Sequence, residues 1–159
     1  MISLPDISDL HPDSIQIGKL KFASYGQQSS LAGEIVTVSC ADDNSIVKSM
    51  LEQKGENKVL VVDAVGVAHA SMVGDQIAES ALLNNWAGIV VNGYVRDVEI
   101  LKTMDLGIFA RGSVAQKTDK RGHGFQNIMI SFGGVVMRSG HWMYVDQNGW
   151  LVADRKLEL

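Results

Sequence analysis

The chain has a single cysteine, no long apolar run and no block of basic residues, and each absence excludes a class of protein. One thiol, Cys40, cannot form an internal disulfide, which is compatible with a reducing cytoplasm. No segment reaches the roughly 20 apolar residues that cross a bilayer, and no signal peptide is expected. Because the net charge is −4 and no basic run stands out, direct nucleic-acid binding is not expected. These features predict a cytoplasmic protein, with no membrane contact, that acts on small molecules or other proteins.

The residue types that bind zinc or act as nucleophiles are sparse. Neither a helix N-terminus nor a nearby histidine is expected to activate Cys40, so we expect a half-buried structural thiol in a strand. The histidines show no paired metal-ligand spacing, which argues against zinc. They are His11, His69, His123 and His141.

The composition is that of an ordinary globular protein. Of the 159 residues, 46% are hydrophobic and 20% are charged, and the chain contains no internal repeat or low-complexity segment. We therefore expect one domain that spans residues 1–159.

The middle of the chain alternates strand and helix patterns, which predicts parallel strands joined by right-handed crossovers. A helical region, interrupted at Gly74, is expected after Ala64, whereas residues 1–32 predict only a short helix or two. The expected strands are Glu34–Cys40, Lys58–Ala64, Trp86–Val91 and Leu106–Ala110, and the expected helices are Asn44–Glu52 and Val98–Met104.

The last third of the chain has a β-rich pattern of short strands separated by glycine-containing turns, with a hairpin signal at residues 146–149. A parallel α/β centre that leads into a β-rich C-terminal part predicts an α/β fold of layered sheets, with helices on one side. The four expected strands are Ile128–Phe132, Gly134–Met137, Trp142–Asp146 and Trp150–Asp154.

Three charged residues, Asp75, Arg96 and Asp97, each follow an apolar run and form the candidate site. One interpretation is structural: the two aspartates cap the helices that they begin, and Arg96 is a surface charge. The other is functional, because loops at the carboxyl ends of neighbouring strands are where α/β sheets usually bind ligands. Spacing alone leaves both open.

The functional interpretation assigns chemistry to each position. Gly74 allows close backbone approach to a ligand, and the amides of Gln76 and Ile77 point out of a helix N-terminus toward a carboxylate. Arg96 offers a planar fork to the same carboxylate. Asp97 supplies an oxygen ligand for Mg²⁺ or Mn²⁺, ions that accept one or two carboxylates and keep several waters.

The residues around this site resemble the RraA-like family, which includes the class II 4-hydroxy-4-methyl-2-oxoglutarate aldolases and the regulator of ribonuclease E activity A. The resemblance runs from about Leu31 to Asp154. An Asp followed after twenty residues by Arg-Asp, the aldolase signature, is matched by Asp75 and Arg96-Asp97. Flanking matches are Val59–Asp63, Trp86–Gly93, Asp105–Gly107 and Phe132–Val135.

The resemblance implies a role for each site residue. The position of Asp97 coordinates the divalent metal, that of Arg96 binds the keto acid, and that of Asp75 hydrogen-bonds metal-bound water. The amides of Gln76 and Ile77 hold the pyruvate carboxylate. The implied activity is metal-dependent cleavage of 4-hydroxy-4-methyl-2-oxoglutarate-type keto acids to pyruvate, with oxaloacetate decarboxylase activity at the same site.

The resemblance also implies a fold and partners. The fold is the β/β/α sandwich shared with swivelling phosphohistidine domains, and the assembly is a homotrimer that can stack into a hexamer. The alternative function is regulatory, in which the protein binds ribonuclease E and inhibits RNA processing. A methyltransferase function is set aside, since no Gly-x-Gly loop follows the first strand.

Two further features keep alternative interpretations. The basic loop of Lys117, Lys120 and Arg121 is either a solvated turn or an anion site. His69 is either a residue that contacts substrate at the rim of the site or an exposed or capping residue.

Overall fold

The computed structural model describes all residues, 1–159, as four helices and twelve strands. The helices are α1 (Leu4–Leu10), α2 (Ser45–Leu51), α3 (Asp75–Leu83) and α4 (Val98–Leu101). The strands are β1 (Ile15–Ile17), β2 (Ala23–Ser24), β3 (Leu31–Ser39), β4 (Val59–Asp63), β5 (Ser71–Val73), β6 (Gly88–Val95), β7 (Gly107–Ser113), β8 (Phe125–Gln126), β9 (Ile130–Phe132), β10 (Val135–Met137), β11 (Trp142–Asp146) and β12 (Gly149–Ala153).

Ten strands form one mixed sheet, in which eight follow the order β1-β12-β11-β3-β4-β6-β7-β2, while β5 and β8 lie off this path and pair with β6 and β3. Strands β3, β4, β6 and β7 are parallel and occupy its centre, and β5 adds a short parallel pairing to the end of β6. The C-terminal β11–β12 hairpin joins the sheet antiparallel to β3. The predicted parallel centre with a β-rich C-terminal part is therefore confirmed.

The sheet is buried on both faces, which gives the layered β/β/α arrangement. Along β4, Leu60 and Val62 pack with helices α2, α3 and α4, whereas Val59 and Val61 pack against the separate β9–β10 hairpin and β11–β12. All four side chains are fully buried. This explains why β4 is a continuous apolar run rather than an alternating one.

The segment after Ala64 is not helical, contrary to the prediction. Val65 and Gly66 adopt positive φ angles of 53° and 70°, so the backbone leaves β4 in a turn that no α-helix can accommodate. The chain then forms β5, Ser71–Val73, and the helix begins only at Asp75. The strand β5 is what brings Asp75 beside the end of β6.

Other differences lie at the ends of elements. The strands β6 and β7 extend beyond the predicted bounds, to Val95 and Ser113, because they continue to pair there. The helix predicted at Val98–Met104 ends at Leu101. The first 32 residues hold α1 as predicted and also two short strands that pair with β12 and β7. None of the four helices has the length and apolar character needed to cross a membrane.

Candidate active site at the ends of two parallel strands

The candidate site lies where β5 and β6 end side by side. Their pairing places Ser71 next to Tyr94 and Val73 next to Val95. The amide of Arg96 then donates to the carbonyl of Val73 at 3.0 Å. Because the chain turns into α3 after β5 and into α4 after β6, the two loops with Asp75 and Arg96-Asp97 meet at one edge of the sheet.

The carboxylate of Asp97 does not cap the helix that it precedes. Asp97 is the N-cap residue of α4, in a left-handed conformation (φ 57°, ψ 39°), yet its side chain makes no capping hydrogen bond there. Its Oδ2 instead accepts a hydrogen bond from the backbone N–H of Asp75, 3.1 Å away and 22 residues earlier. The Nε of Arg96 is 3.9 Å from the same oxygen. The structure thus brings the three predicted residues together, and the simple capping alternative does not describe Asp97.

The carboxylate of Asp75 has a more local contact. Asp75 is the first residue of α3, after the N-cap Gly74, and its Oδ1 accepts from the N–H of Gln76 at 2.9 Å. Part of the capping interpretation therefore holds for this residue. The next amide, that of Ile77, has no hydrogen-bond acceptor within the protein, so it is free to bind a ligand at the positive end of the helix.

The absence of a side chain at Gly74 makes room for this arrangement. A Cβ at that position would lie 2.8 Å from Oδ2 of Asp97 and 3.4 Å from Nε of Arg96. The first distance is shorter than real Cβ contacts, so glycine is what allows carboxylate, guanidinium and helix N-terminus to converge.

The cleft beside these residues has a volume of about 390 Å³, and of the twelve residues that line it only Ile77 is hydrophobic. The predicted residues Gly74, Asp75, Gln76, Ile77 and Arg96 all line it. Asp97 lines an adjoining hollow of about 270 Å³ that shares Arg96. The other residues that line the main cleft are Asn44, Lys48, Glu52, Ser71, Ser80, Lys117 and Lys120.

The donor set fits a hard divalent cation with few protein ligands. No group of three or more His, Cys, Asp or Glu side chains converges anywhere in the chain, so no all-protein metal cage is present. Asp97 offers a carboxylate whose side chain is 31% exposed and whose Oδ1 makes no hydrogen bond or ion pair. One carboxylate with room for water suits Mg²⁺ or Mn²⁺ and does not suit a tetrahedral zinc site.

Sequence reasoning missed several residues that line the cleft. Asn44 and Ser71 are buried polar residues whose side chains bond to backbone carbonyls, of Met72 at 3.0 Å and Val73 at 3.1 Å. Asn44 precedes α2 and Ser71 begins β5, and neither belongs to a motif with catalytic or metal-ligand spacing, so nothing in the sequence marked them as residues of the site. Lys48 on α2 and Glu52 just after it form an ion pair at 2.9 Å, and their i,i+4 spacing is typical of any exposed helix face.

The basic loop and His69 differ in their relation to the cleft. Lys117 and Lys120 line the cleft, whereas Arg121 points to Asp42, with Nη2 2.7 Å from Oδ1. His69 does not line the cleft. Its side chain is 69% exposed and lies 3.5 Å from Asp42.

The single thiol is structural. Cys40 is buried, with its Sγ 3.9 Å from Sδ of Met72. Burial, and then the negative charges of Asp63, Asp43 and Asp42, raise the pKa of the thiol to about 12. It is therefore a protonated packing group at neutral pH.

Comparison with known proteins gives a consistent family. A model of the RraA-like family, described as Aldolase/RraA, matches residues 4–152. A protein of Hahella chejuensis is 44% identical over 155 residues, covering 98% of this chain and 94% of the relative. One from Ectopseudomonas mendocina is 43% identical and covers 98% and 96%. Both are provisionally named 4-hydroxy-4-methyl-2-oxoglutarate aldolases.

Two solved structures share the whole fold. One, from Geobacillus kaustophilus, is described as an S-adenosylmethionine:2-dimethylmenaquinone methyltransferase; it is 33% identical, covers 98% of this chain and 97% of its own, and has a TM-score of 0.96. The other is the RNA-processing inhibitor RraA from Thermus thermophilus, 30% identical, with coverage of 99% and 96% and a TM-score of 0.95.

Proposed function

Because this chain belongs to the RraA-like family, we propose that it is a divalent-metal-dependent lyase that cleaves 4-hydroxy-4-methyl-2-oxoglutarate-type keto acids to pyruvate. The observation that supports this most strongly is the hydrogen bond from the Asp75 amide to Asp97, with Arg96 beside both. A cation, a carboxylate and a helix N-terminus are thus neighbours where the main cleft meets the adjoining hollow, and this supports joint binding of a keto acid and a metal ion.

Different residues of the site bind the substrate carboxylate and the metal ion. The guanidinium of Arg96 and the free amide of Ile77 bind the carboxylate next to the keto group. Asp97 holds Mg²⁺ or Mn²⁺, which when bound acts as a Lewis acid toward the keto oxygen. Arg96 also stabilises the negative charge that develops on that oxygen.

Cleavage breaks the bond between C3 and C4 of the substrate. The 4-hydroxyl loses its proton and becomes the keto group of one product, and the bonding electrons remain on the pyruvate fragment until C3 is protonated. Asp75, which lines the cleft, holds the water that exchanges these protons. Decarboxylation of oxaloacetate leaves the same fragment, so the site supports that activity as well.

Metal removal is the experiment that tests the proposed lyase. Protein treated with a chelator and then desalted should release no pyruvate from 4-hydroxy-4-methyl-2-oxoglutarate or from oxaloacetate, in an assay coupled to lactate dehydrogenase. Addition of Mg²⁺ or Mn²⁺ should restore release, because a hard oxygen site accepts either ion. Far-ultraviolet circular dichroism of the metal-free protein serves as the control for folding.

Either of two results would remove the proposal. One is pyruvate release at the full rate in the metal-free protein, and the other is no release from either substrate with any divalent ion.

A regulatory function is the second candidate, favoured by the likeness to the RraA of Thermus thermophilus. In this alternative the chain binds ribonuclease E and inhibits it. Capture of ribonuclease E on the immobilised protein, measured beside the pyruvate assay, separates the two candidates. The methyltransferase description of the Geobacillus neighbour finds no support in the loop after β3, Cys40–Asn44, which contains no glycine.

The proposal includes a location and an assembly. We place the protein in the cytoplasm, where a free buried thiol such as that of Cys40 stays reduced. We also propose a homotrimer, with stacking into a hexamer as the larger form, which the family membership supports.

A further inference from the structure

Asn44 lines the cleft, yet the proposed lyase chemistry does not involve it. We propose that Asn44 is a positioning residue: its side chain fixes the end of β5 and thereby the start of α3, which carries Asp75 and the amide of Ile77. This inference rests on the proposed function, which assigns the start of α3 to proton exchange and to binding of the substrate carboxylate.

The side chain of Asn44 does not cap its own helix. Asn44 is the N-cap residue of α2, a position where asparagine usually accepts a hydrogen bond from the first turn, but it makes no such bond. Its Nδ2 instead donates to the carbonyl of Met72 at 3.0 Å, and its Oδ1 accepts from the hydroxyl of Thr118 at 2.6 Å. Asn44 is 5% exposed, so both bonds are largely shielded from solvent. The side chain therefore joins the start of α2 to two segments that border the cleft.

The bond to Met72 compensates for an irregularity in β5. The ladder pairs the first and third residues of β5 with Tyr94 and Val95, and the register shifts between them, so Met72 in the middle has no partner residue on β6. Met72 is fully buried, and a buried carbonyl without a hydrogen-bond donor is unfavourable. The side chain of Asn44 supplies that donor and holds the short strand at its irregular point.

A short path leads from Met72 to the site. The carbonyl of the next residue, Val73, accepts from the amide of Arg96 at 3.0 Å, and Asp75 follows two residues later. The amide of Asp75 then donates to Asp97 at 3.1 Å. A shift of β5 therefore moves Asp75 and the start of α3 relative to Asp97, and a misplacement of about 1 Å can lower a rate by roughly 10²-fold.

The surroundings of Asn44 are a network of buried polar groups. Six polar or charged residues are buried in the chain, and four of them lie here: Asp43, Asn44, Ser71 and Thr118. All four make hydrogen bonds, and no buried polar side-chain atom is left without a partner. Because a fully satisfied buried network allows few other arrangements, it suits a support that holds a site in one geometry.

Turnover of Asn44→Ala is the first test. The kcat for pyruvate release should fall at least about tenfold, because Asp75 and the amide of Ile77 lose their fixed position. The Mg²⁺ concentration that gives half-maximal activity should change less than about threefold, because Asp97 lies on the other loop. A residue that only stabilises the fold would leave kcat per folded molecule unchanged, with the folded fraction measured by circular dichroism.

Two variants are matched controls. Asn84, at the other end of α3, also donates through Nδ2 to backbone carbonyls, at 3.2 and 2.9 Å. Asn84→Ala removes comparable bonds away from Asp75, so its kcat should stay within about twofold of the wild type. Thr118→Val removes one bond of Asn44 and keeps the bond to Met72, so its kcat should stay within about threefold.

Hydrogen exchange of the Asp75 amide tests the position directly and requires no turnover. This amide is bonded to Asp97, so its exchange, followed by ¹H–¹⁵N NMR, should be at least about tenfold faster in Asn44→Ala and unchanged in Asn84→Ala. If Asn44→Ala does not fold, Asn44→Ser, whose side chain is too short to reach the Met72 carbonyl, takes its place in both tests.

These measurements separate failure of the positioning role from failure of the lyase. Faster exchange at Asp75 in the Asn44 variant, with no pyruvate released even by the wild type, rejects the lyase and supports the positioning role. If the wild type releases pyruvate, two results overturn the positioning role and leave the lyase standing. One is an Asn44 variant with unchanged kcat and unchanged exchange at Asp75, and the other is an equal loss of kcat in Asn44→Ala and Asn84→Ala.

Discussion

Replacement of Asp97 by asparagine should lower kcat/KM for metal-dependent pyruvate release by roughly 10²–10³-fold without unfolding the protein. The substitution removes the negative charge that holds the metal ion. It keeps a carbonyl oxygen that can still accept the hydrogen bond from Asp75, and asparagine tolerates the left-handed backbone at φ 57°. Steady-state assays over a range of Mg²⁺ concentrations, with circular dichroism beside them, measure both effects.

Asp154→Asn is the matched control for this variant. Asp154 is an exposed carboxylate that contacts only its neighbour Arg155, at 3.0 Å, and lines neither the main cleft nor the adjoining hollow, so its neutralisation should change kcat/KM less than about twofold. Unchanged turnover in the Asp97 variant would show that this carboxylate does not hold the metal.

The second large effect is on stability and concerns Asp43. Its buried carboxylate accepts from the amide and hydroxyl of Ser45, at 2.9 and 2.6 Å, and from the amides of Arg121 and His123. In Asp43→Asn the side-chain NH₂ must face N–H donors, so one side of this network is lost. We expect a decrease of about 3 kcal/mol in the free energy of unfolding at pH 7, measured by urea denaturation.

The same network predicts the pH dependence of that decrease. Burial works to raise the pKa of Asp43, but the hydrogen bonds from Ser45, His123 and Arg121 outweigh it and hold the pKa well below its usual value. A lowered folded-state pKa gives stability that is fully present above the unfolded value of about 3.9 and is lost as the pH falls below it. The difference between wild type and variant should therefore shrink on acidification below about pH 4.

Asp42→Asn is the matched control for stability. This neighbouring carboxylate pairs with Arg121 at the surface, where solvent screens the pair, so its substitution should have a much smaller effect. Equal losses for the two variants at pH 7, or a difference that stays constant down to pH 3, would contradict the assigned network.

The elements that sequence predicted correctly are those whose pattern is local. The run Val59–Asp63 and the apolar spacing of Ser45–Leu51 depend only on burial of side chains from their own segment, so their periodicity is visible in the sequence. The prediction of a helix directly after Ala64 was wrong, because an apolar composition cannot reveal that Val65 and Gly66 adopt positive φ angles. Residue propensities did not indicate this turn either, since a valine rarely adopts a positive φ angle.

The site shows the same division between local and long-range information. The spacing of Asp75 and Arg96-Asp97 identified which residues to examine, but only the pairing of β5 with β6 brings them together. That Asp97 reaches the amide of another helix, rather than its own, depends on a contact between residues 22 positions apart. Likewise, Lys117 and Lys120 reach the cleft because Thr118 bonds to Asn44, 74 residues earlier, and such a contact has no signature in local sequence.

A crystal structure with Mn²⁺ and oxalate tests the central claim most directly. Oxalate mimics the planar keto acid, and the anomalous scattering of manganese locates the ion. We expect manganese bound to the Asp97 carboxylate, and oxalate between residues 75 and 97 with one carboxylate on Arg96 and the Ile77 amide. Manganese and oxalate bound elsewhere, or an empty cleft at saturating concentrations of both, would contradict it.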